Sequence, residues 1–264
     1  MVTTLATALP DRSPYVVADA AYAGKELRAL PAQVTWTTRL RVDAALYDLA
    51  PPRTGRRGRP RSTGQRLPSL TALAAQVSFT PLPVRRYGKT TTVDIATVRC
   101  LWYGTFGPQP VTVILLRETT THTRGGYDTA LVTTDTLTRP TQIIHRYAAR
   151  WSIEVMIEDA KQLIGVGQAR NRLAHAVERT VPFGLTCQTL TMLWYATVGH
   201  TPTDVADHRD RAPWYTTKAN PSTADMIGKL RRVLIATKYQ VTHPDQPTPE
   251  DIHTIRLAWE LNAA

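Results

Sequence analysis

Hydrophobic and polar positions divide the chain into a strand-rich first part and a helical second part. Runs that are apolar or that alternate apolar and polar residues are typical of strands, and a spacing of three to four residues is typical of helices. The predicted strands lie within residues 15–22, 34–46, 77–116 and 129–135. The predicted helices cover residues 3–9, 139–164, 174–198, 222–238 and 249–262. This order predicts an α/β protein with a β-rich insertion after its first strands.

Residues 51–68, PPRTGRRGRPRSTGQRLP, interrupt this pattern with proline, glycine and arginine and almost no apolar side chain. A segment of this composition cannot pack a core, so we expect an exposed arm. Residues 57–60, Arg-Gly-Arg-Pro, form the core of the A/T-hook, whose narrow backbone lets arginines enter an A·T-rich minor groove. The alternative is a solvated loop that binds phosphate without base preference. Both interpretations predict DNA binding by the arginines of the arm, which are Arg53, Arg56, Arg57, Arg59, Arg61 and Arg66.

The charge of the chain favours a polyanionic partner. The 264 residues include 32 basic and 21 acidic side chains, which gives a net charge of +11 and a pI near 10.0. Of the basic residues 26 are arginine, whose planar fork binds phosphate through two hydrogen bonds. A nucleic acid is the leading explanation, and an acidic protein or a membrane surface is the alternative.

Cysteine usage and hydropathy favour a cytoplasmic protein. Cys100 and Cys187 lie in apolar surroundings without metal-ligand spacing, which predicts buried free thiols in a reducing cytosol. The first residues lack the basic and apolar regions of a signal peptide. Residues 181–199 are the longest weakly polar stretch, but Gln188 and several threonines interrupt it, so we expect a buried helix rather than a membrane span.

Asp19 is the first candidate for chemistry. It ends the apolar run at residues 15–22, so its carboxylate is expected at the carboxyl end of a strand, where α/β sheets usually build their sites. The alternative is that Asp19 caps the helical turn that follows.

The stretch RYAARWSIEVMIEDAK, residues 146–161, predicts one helix with a polar stripe. At about 100° per residue, the offsets of 0, 3, 7 and 14 place four side chains within a face about 60° wide. These side chains are Tyr147, Arg150, Glu154 and Lys161. A neighbouring apolar stripe, which we expect to be buried, consists of Ile144, Ala148, Trp151 and Val155. The alternative is a solvated face with an Arg150–Glu154 ion pair, and Glu158 is a competing carboxylate.

The spacing Tyr147, two residues, Arg150, three residues, Glu154, six residues, Lys161 resembles the Y-R-E-K signature of bacterial DDE transposases. These insertion-sequence enzymes carry a β-rich insertion in an RNase H-like, retroviral integrase-like fold. The stretch VVADAAYAGKEL resembles the strand that carries their second catalytic Asp. Residues 161–172 and 212–234 are similar to the segment after the catalytic helix and to the C-terminal tail.

The resemblance implies a partial RNase H-like fold, in which helices flank a mixed sheet. Residues 1–50 would form part of the core with the second catalytic Asp, and residues 51–128 the basic arm and β-rich insertion. Residues 129–200 would complete the core with the Y-R-E-K helix, and residues 201–264 would form a helical tail.

The resemblance also implies roles for individual residues. Asp19 matches the second metal-ligating Asp and Glu154 the third acid, and together they are expected to bind Mg²⁺ or Mn²⁺. Tyr147, Arg150 and Lys161 match the residues that contact the phosphates of the transposon ends.

An aromatic residue of the insertion often stacks on a flipped base in this family. Trp102 or Tyr103 is the candidate here, and the alternative is an aromatic that packs within the sheet.

One departure from the family pattern concerns the first catalytic Asp, which lies on an earlier strand in the family. Here only Asp11, in a proline-flanked turn, precedes Asp19. We therefore expect a C-terminal portion of a transposase that cleaves DNA poorly or not at all by itself.

The expected function is DNA transposition, with Mg²⁺-dependent strand cleavage and transfer in the intact family. The alternative is a non-catalytic DNA-binding remnant or inhibitor of a transposase. A basic RNA-associated domain is a third hypothesis, which leaves the Y-R-E-K spacing unexplained. Expected partners are transposon-end and target DNA and a second copy or a full-length transposase, in the cytoplasm at the nucleoid.

Overall fold

A computed structural model describes residues 2–52, 60–86, 88–118, 125–168, 170, 172–211, 214, 218–239 and 248–261. The chain divides into two compact units, Met1–Ser152 (unit 1) and Ile153–Ala264 (unit 2). All strands of the described residues belong to unit 1, whereas the regular elements described in unit 2 are helical.

Unit 1 is built on a six-stranded mixed sheet. In chain order its strands are β1 (Tyr15–Ala18), β2 (Thr35–Arg39), β3 (Thr80–Arg86), β4 (Lys89–Leu101), β5 (Pro110–Glu118) and β6 (Thr129–Thr133). Their order in space is β1-β2-β6-β5-β4-β3. β1 and β2 are parallel, and every other neighbouring pair is antiparallel. The predicted strand regions are confirmed, and β1 and β2 end at the same edge of the sheet.

Side chains alternate along β5, so both faces of the sheet are buried. Val111, Val113 and Leu115 belong to the hydrophobic cluster on one face. Ile114 and Leu116 belong to the cluster on the other face. All five are at most 4% exposed, which explains why the sequence of β5 is an almost continuous apolar run.

Helices cover both faces of the sheet. α1 (Val2–Ala8), α2 (Leu70–Gln76) and α3 (Tyr103–Phe106) contribute side chains to the first cluster. α4 (Pro140–Ala149) packs Ile143 and Ile144 into the second.

The hydrophobic pattern does not predict α2, although its start carries a signal. Ser69 precedes an apolar run, and its Oγ accepts a hydrogen bond from the N–H of Ala72 at 3.3 Å. Leu70, Leu73 and Ala74 then bury one side of the helix. A helix of seven residues is too short for its periodicity to stand out from a loop.

The end of the arginine-rich arm is part of the fold, contrary to the expectation of an exposed arm over its whole length. The N–H of Gly64 donates to the Asp48 carbonyl at 2.9 Å, and the N–H of Leu67 donates to the Leu46 carbonyl at 2.9 Å. A Cβ at Gly64 would lie 2.6 Å from the Cβ of Asp48, so this close approach requires glycine. Residues 53–59 lie outside the described part of the chain.

The single helix predicted over residues 139–164 is wrong, because α4 ends at Ala149 and α5 (Ser152–Gln162) begins three residues later. At the break, the N–H groups of Arg150 and Trp151 donate to carbonyls three residues back instead of four. The predicted apolar stripe is interrupted at the same place. Trp151 is 54% exposed and Val155 is 42% exposed, whereas the other two members of the stripe are buried.

Unit 2 contains α5 and further helices that mostly match the prediction. They are α6 (Ala174–Trp194), a π-helical turn (Tyr195–Gly199), α7 (Asp204–Arg211), α8 (Thr223–Tyr239) and α9 (Pro249–Leu261). The hydrophobic pattern does not predict α7. In the described part of the chain, no helix has the length and apolar character needed to cross a bilayer.

Three helices of unit 2 start with the same device, in which a hydroxyl residue is followed by an aspartate three positions later. The pairs are Thr201 with Asp204, Ser222 with Asp225, and Thr248 with Asp251. In each pair the carboxylate accepts a hydrogen bond from the backbone N–H of the hydroxyl residue, as in a capping box.

Candidate functional site

Asp19 lies on the surface at the carboxyl end of β1, as predicted. It directly precedes a short 3-10 turn, Ala20–Tyr22, but its side chain makes no capping hydrogen bond to that turn. The alternative role as a helix cap therefore has no support in its geometry. Arg39 is the last residue of the parallel neighbour β2, so the two residues lie at the same sheet edge.

Tyr147 of α4 lies between charged groups at this edge. Its phenol is half-buried and interacts electrostatically with Asp19, Arg39 and Arg150. The central carbon of the Arg150 guanidinium lies 5.9 Å from the centroid of the Tyr147 ring. Burial, together with Asp19, raises the pKa of Tyr147 in spite of the two arginines. Tyr147 is therefore a protonated hydrogen-bond donor at neutral pH.

The four residues Asp19, Arg39, Tyr147 and Arg150 form what we call the β1-edge cluster. The sequence points to three of them, but not to Arg39. Its place beside Asp19 depends on the parallel pairing of β1 with β2, and residues 34–46 alone do not specify a partner strand.

A second polar group in unit 1 lies at the opposite end of the same strands. Asp135 follows β6, which runs antiparallel to β2, and its carboxylate is 3.1 Å from Nη1 of Arg146. The Arg146 guanidinium also lies 3.8 Å from the centroid of the Tyr15 ring. Burial alone would raise the pKa of Asp135, but hydrogen bonds from Thr138, the Leu137 N–H and Arg146 lower it. We interpret these contacts as structural, because they attach α4 to the sheet.

The other two residues of the Y-R-E-K spacing belong to unit 2. Glu154 lies in the first turn of α5 and is half-buried, and Lys161 lies in the last turn and is exposed. The competing carboxylate Glu158 is exposed and accepts a hydrogen bond from Gln162 at 3.1 Å. The helix break at Arg150–Trp151 means that the four residues do not share one continuous helix.

α5 is held within unit 2 by polar contacts. The hydroxyl of Thr223 donates to the Asp159 carboxylate at 2.5 Å, and Nε2 of Gln188 donates to the Met156 carbonyl at 3.3 Å. These contacts connect α5 to α8 and to α6.

Trp102 is a core residue in this structure. It is 7% exposed, and its ring meets that of Phe106 edge-on at 5.9 Å. Its ring therefore has no exposed face on which a base could stack. This agrees with the alternative interpretation, in which the aromatic side chain packs within the fold. Tyr103, the other aromatic candidate, is half-buried with the Arg28 guanidinium 5.5 Å from its ring centroid.

Only part of the arginine-rich arm can be placed. Arg61 and Arg66 are exposed, whereas Arg53, Arg56, Arg57 and Arg59 lie outside the described residues.

Both cysteines are free thiols, as predicted, but the prediction that they are buried is confirmed only for Cys100. Cys100 is buried and Cys187 is half-buried. Burial and the neighbouring Asp48 raise the pKa of Cys100 to about 12, so its thiol is protonated. Cys100 is therefore not expected to act as a nucleophile or a metal ligand.

The donor set of unit 1 does not by itself fit a resident Mg²⁺ or Mn²⁺ ion. Hard divalent cations take several oxygen ligands, whereas the β1-edge cluster has one carboxylate, Asp19, with two guanidinium groups. Among the described residues there is no group of three or more His, Cys, Asp and Glu side chains that could hold a metal. The arrangement of unit 1 instead suits an anion with acceptor oxygens, because Arg39, Tyr147 and Arg150 are all donors.

Residues 1–106 match the model of a family described as DDE superfamily endonuclease. The match supports a DDE transposase-type family for this part of the chain. It includes Asp19 and Arg39 and ends before β5, so it does not extend to Tyr147 or Glu154. No curated protein matches the chain. The six-stranded mixed sheet with helices is consistent with an RNase H-like DDE endonuclease fold, which confirms the predicted fold class.

Proposed function

We propose that this protein binds DNA in a DDE transposase-type reaction and that the β1-edge cluster holds the sugar-phosphate backbone. The observation that carries the proposal is the convergence of Arg39, Tyr147 and Arg150 beside Asp19 at the end of the parallel strands. Two guanidinium groups and a phenol hydroxyl are matched to the oxygens of a phosphodiester. A net charge of +11 adds long-range attraction for a polyanion.

The family match supports DNA as the substrate class of this proposed site. The matched residues contain Asp19 on its strand end, and a DDE endonuclease acts on DNA. The Y-R-E-K spacing assigns Tyr147, Arg150 and Lys161 to the transposon-end phosphates. The same spacing assigns Asp19 and Glu154 to Mg²⁺ or Mn²⁺, and this assignment rests on sequence resemblance alone.

The second candidate is a DNA-binding protein without strand-cleaving activity of its own. It is favoured by the lack, among the described residues, of a three-member group of metal-binding side chains. A DNA-bound but inactive protein of this type would compete with an active transposase for its ends.

Binding of labelled duplex DNA, followed by fluorescence anisotropy at several salt concentrations, tests the phosphate-binding edge. We expect Arg39→Ala and Arg150→Ala each to weaken binding about tenfold and to reduce the salt slope by about one. Arg41→Ala is the matched control, because Arg41 is exposed and pairs with Asp43 in the loop after β2. An equal loss in all three variants would show that only the general charge matters and would refute this site.

Nicking of supercoiled DNA in Mg²⁺ or Mn²⁺ separates the two candidates. Cleavage that is lost in both Asp19→Asn and Glu154→Gln, with DNA binding retained, supports the enzyme. No cleavage, together with binding that depends on Arg39 and Arg150, supports the non-catalytic protein.

A further inference from the structure

Unit 2 buries few apolar side chains of its own. In the described part of unit 2, only Ala160 and Tyr195 are apolar and buried, and the two hydrophobic clusters found among the described residues belong to unit 1. α6 nevertheless carries no charged side chain over residues 180–194. A helix without a charged face is normally buried, so the outer side of α6 is expected to have a partner.

The inner side of α6 is already packed within unit 2. Gly184, Gln188 and Thr191 are the buried residues of this helix. Nε2 of Gln188 donates to the Met156 carbonyl of α5 at 3.3 Å, and α8 also contacts α6. A partner of α6 from outside unit 2 therefore has to bind its other side.

A stripe of exposed side chains runs along that other side. Its members are Arg179, Phe183, Thr186, Leu190 and Leu193, and we call it the α6 stripe. At about 100° per residue it is about 80° wide and points away from the buried residues. Phe183 is 71% exposed, Leu190 59% and Leu193 56%. The members follow one another at spacings of four and three residues, which is the repeat of a helix that pairs with another helix.

The hydroxyl group in the stripe does not oppose burial. The hydroxyl of Thr186 donates to the Pro182 carbonyl at 2.8 Å, four residues back. Because this bond lies within the helix, a partner would cover Thr186 without leaving its donor unpaired. The flanking residues Cys187, Thr189 and Trp194 carry no charge, so two copies of the stripe meet no like charges there.

We propose that the α6 stripe pairs with the same stripe of a second copy of this chain and that the two helices are antiparallel. Pairing that is symmetric about position 188 places Phe183 opposite Leu193 and Thr186 opposite Leu190 of the second copy. The central layers therefore combine a small side chain with a large one, and the stripe is complementary to itself.

Charge decides the direction of the helices. In a parallel pair Arg179 would face Arg179 of the second copy, and the two positive charges would repel each other. In the antiparallel pair Arg179 lies beside the carboxyl end of the other α6, where the helix dipole is negative. The uncharged centre of the stripe offers nothing to an acidic partner, which favours a second copy over a protein that would bind through the net positive charge.

The size of the stripe predicts a weak dimer. α6 has 21 residues, so the paired helices overlap over about 30 Å. One helix paired with one helix is at the small end of specific interfaces, which begin at about 1,000 Å² of total buried area. We therefore expect a dissociation constant on the order of 10 µM. The net charge of +11 opposes self-association at low salt and is screened at higher salt.

Sedimentation equilibrium of the DNA-free protein at about 0.3 M salt measures the dimer. Phe183→Lys and Leu193→Glu each place a charge in the stripe, and both side chains are more than half exposed, so neither change is expected to unfold unit 2. Val181→Lys is the matched control, because Val181 is 43% exposed on the same helix but lies on the side away from the stripe. Circular dichroism checks that each variant is folded.

We expect each stripe variant to weaken the dimer at least about tenfold and the control to change it less than about threefold. An equal mixture of the two stripe variants is expected to restore the dimer. Antiparallel pairing brings the introduced lysine opposite the introduced glutamate at one contact and keeps Phe183 opposite Leu193 at the other. A parallel pair would leave each introduced charge against an apolar side chain.

Three results overturn the proposal. They are a monomer at about 100 µM wild-type protein, a dimer that both stripe variants retain, and a dimer that is lost in both variants without rescue in the mixture. The dimer does not depend on the proposed DNA-binding site, because α6 contains no residue of the β1-edge cluster and the assay contains no DNA. A failure of either proposal therefore leaves the test of the other unchanged.

Discussion

Replacement of Asp204 is expected to destabilise unit 2 strongly. Its side chain is 9% exposed and that of its partner Lys229 is 19% exposed, so the ion pair is largely removed from water. Removal of one member of a buried pair costs about 3–5 kcal/mol, because the other charge is left without compensation. Asp204→Ala also leaves Tyr195 and Thr201 without their acceptor. We expect a loss of about 3–5 kcal/mol in the free energy of unfolding of unit 2.

The pH dependence of this contribution follows from the pKa of Asp204. Burial would raise the pKa, but the hydrogen bonds from Lys229, Thr201 and Tyr195 outweigh burial and lower it below the ordinary value of 3.8. In acid the unfolded state therefore takes up the proton first. The stabilisation is fully present above about pH 4 and is lost as the pH falls towards the lowered pKa. Asp204→Ala should lack this component of the acid sensitivity.

Hydrogen exchange read by mass spectrometry on peptides of α7 and α8 measures this effect in unit 2 alone. Asp210→Ala is the control, because Asp210 is exposed on the same helix. We expect faster exchange in both helices for Asp204→Ala and no change for the control. A loss below about 1 kcal/mol for Asp204→Ala would refute the reasoning, since this is the range of an exposed pair.

Three further predictions concern unit 1 and the cysteines. In thermal melts, Gly64→Ala should lower the free energy of unfolding by about 1–3 kcal/mol, because its Cβ would lie 2.7 Å from a backbone carbonyl oxygen. Gly104→Ala is the control and should be neutral, because its Cβ would meet nothing within 4 Å. Trp102→Ala should cost about 3–5 kcal/mol in the same assay because the indole is 7% exposed, and a cost below about 1 kcal/mol would contradict its place in the core. Alkylation at pH 8 should label the half-buried Cys187 before the buried Cys100, because a pKa of about 12 keeps Cys100 a thiol. Equal alkylation rates of the two cysteines in the folded protein would contradict this.

The elements that the sequence predicts correctly are those whose patterns are long and locally specified. β4 is a strand of 13 residues and β5 is an almost continuous apolar run, and both lie in the predicted strand region. By contrast, Arg150 and Trp151 end a helix without the proline or glycine that usually marks a stop, and Arg150 keeps helical backbone angles, so the break has no local signal. For α7 the signal is present in Thr201 and Asp204, but the helix is only eight residues long.

The candidate site could be predicted only in part. Asp19, Tyr147 and Arg150 stand out by type and spacing, whereas Arg39 depends on which strand pairs with β1. The packing of α8 against α6 could not be predicted either, because the spacing of residues along one helix does not specify a partner helix.

The capping boxes of unit 2 bear on the order in which the chain folds. Each start signal spans four residues, so the contacts that begin α7, α8 and α9 form without any distant partner. In unit 1 the bond between Thr37 and Thr133 joins residues 96 positions apart. Helices with local contacts form in microseconds to milliseconds, whereas non-local strand pairing takes milliseconds to seconds. We therefore expect the helices of unit 2 to be protected from exchange before the β2–β6 pair during refolding, and simultaneous protection in a pulse-labelling experiment would contradict this order.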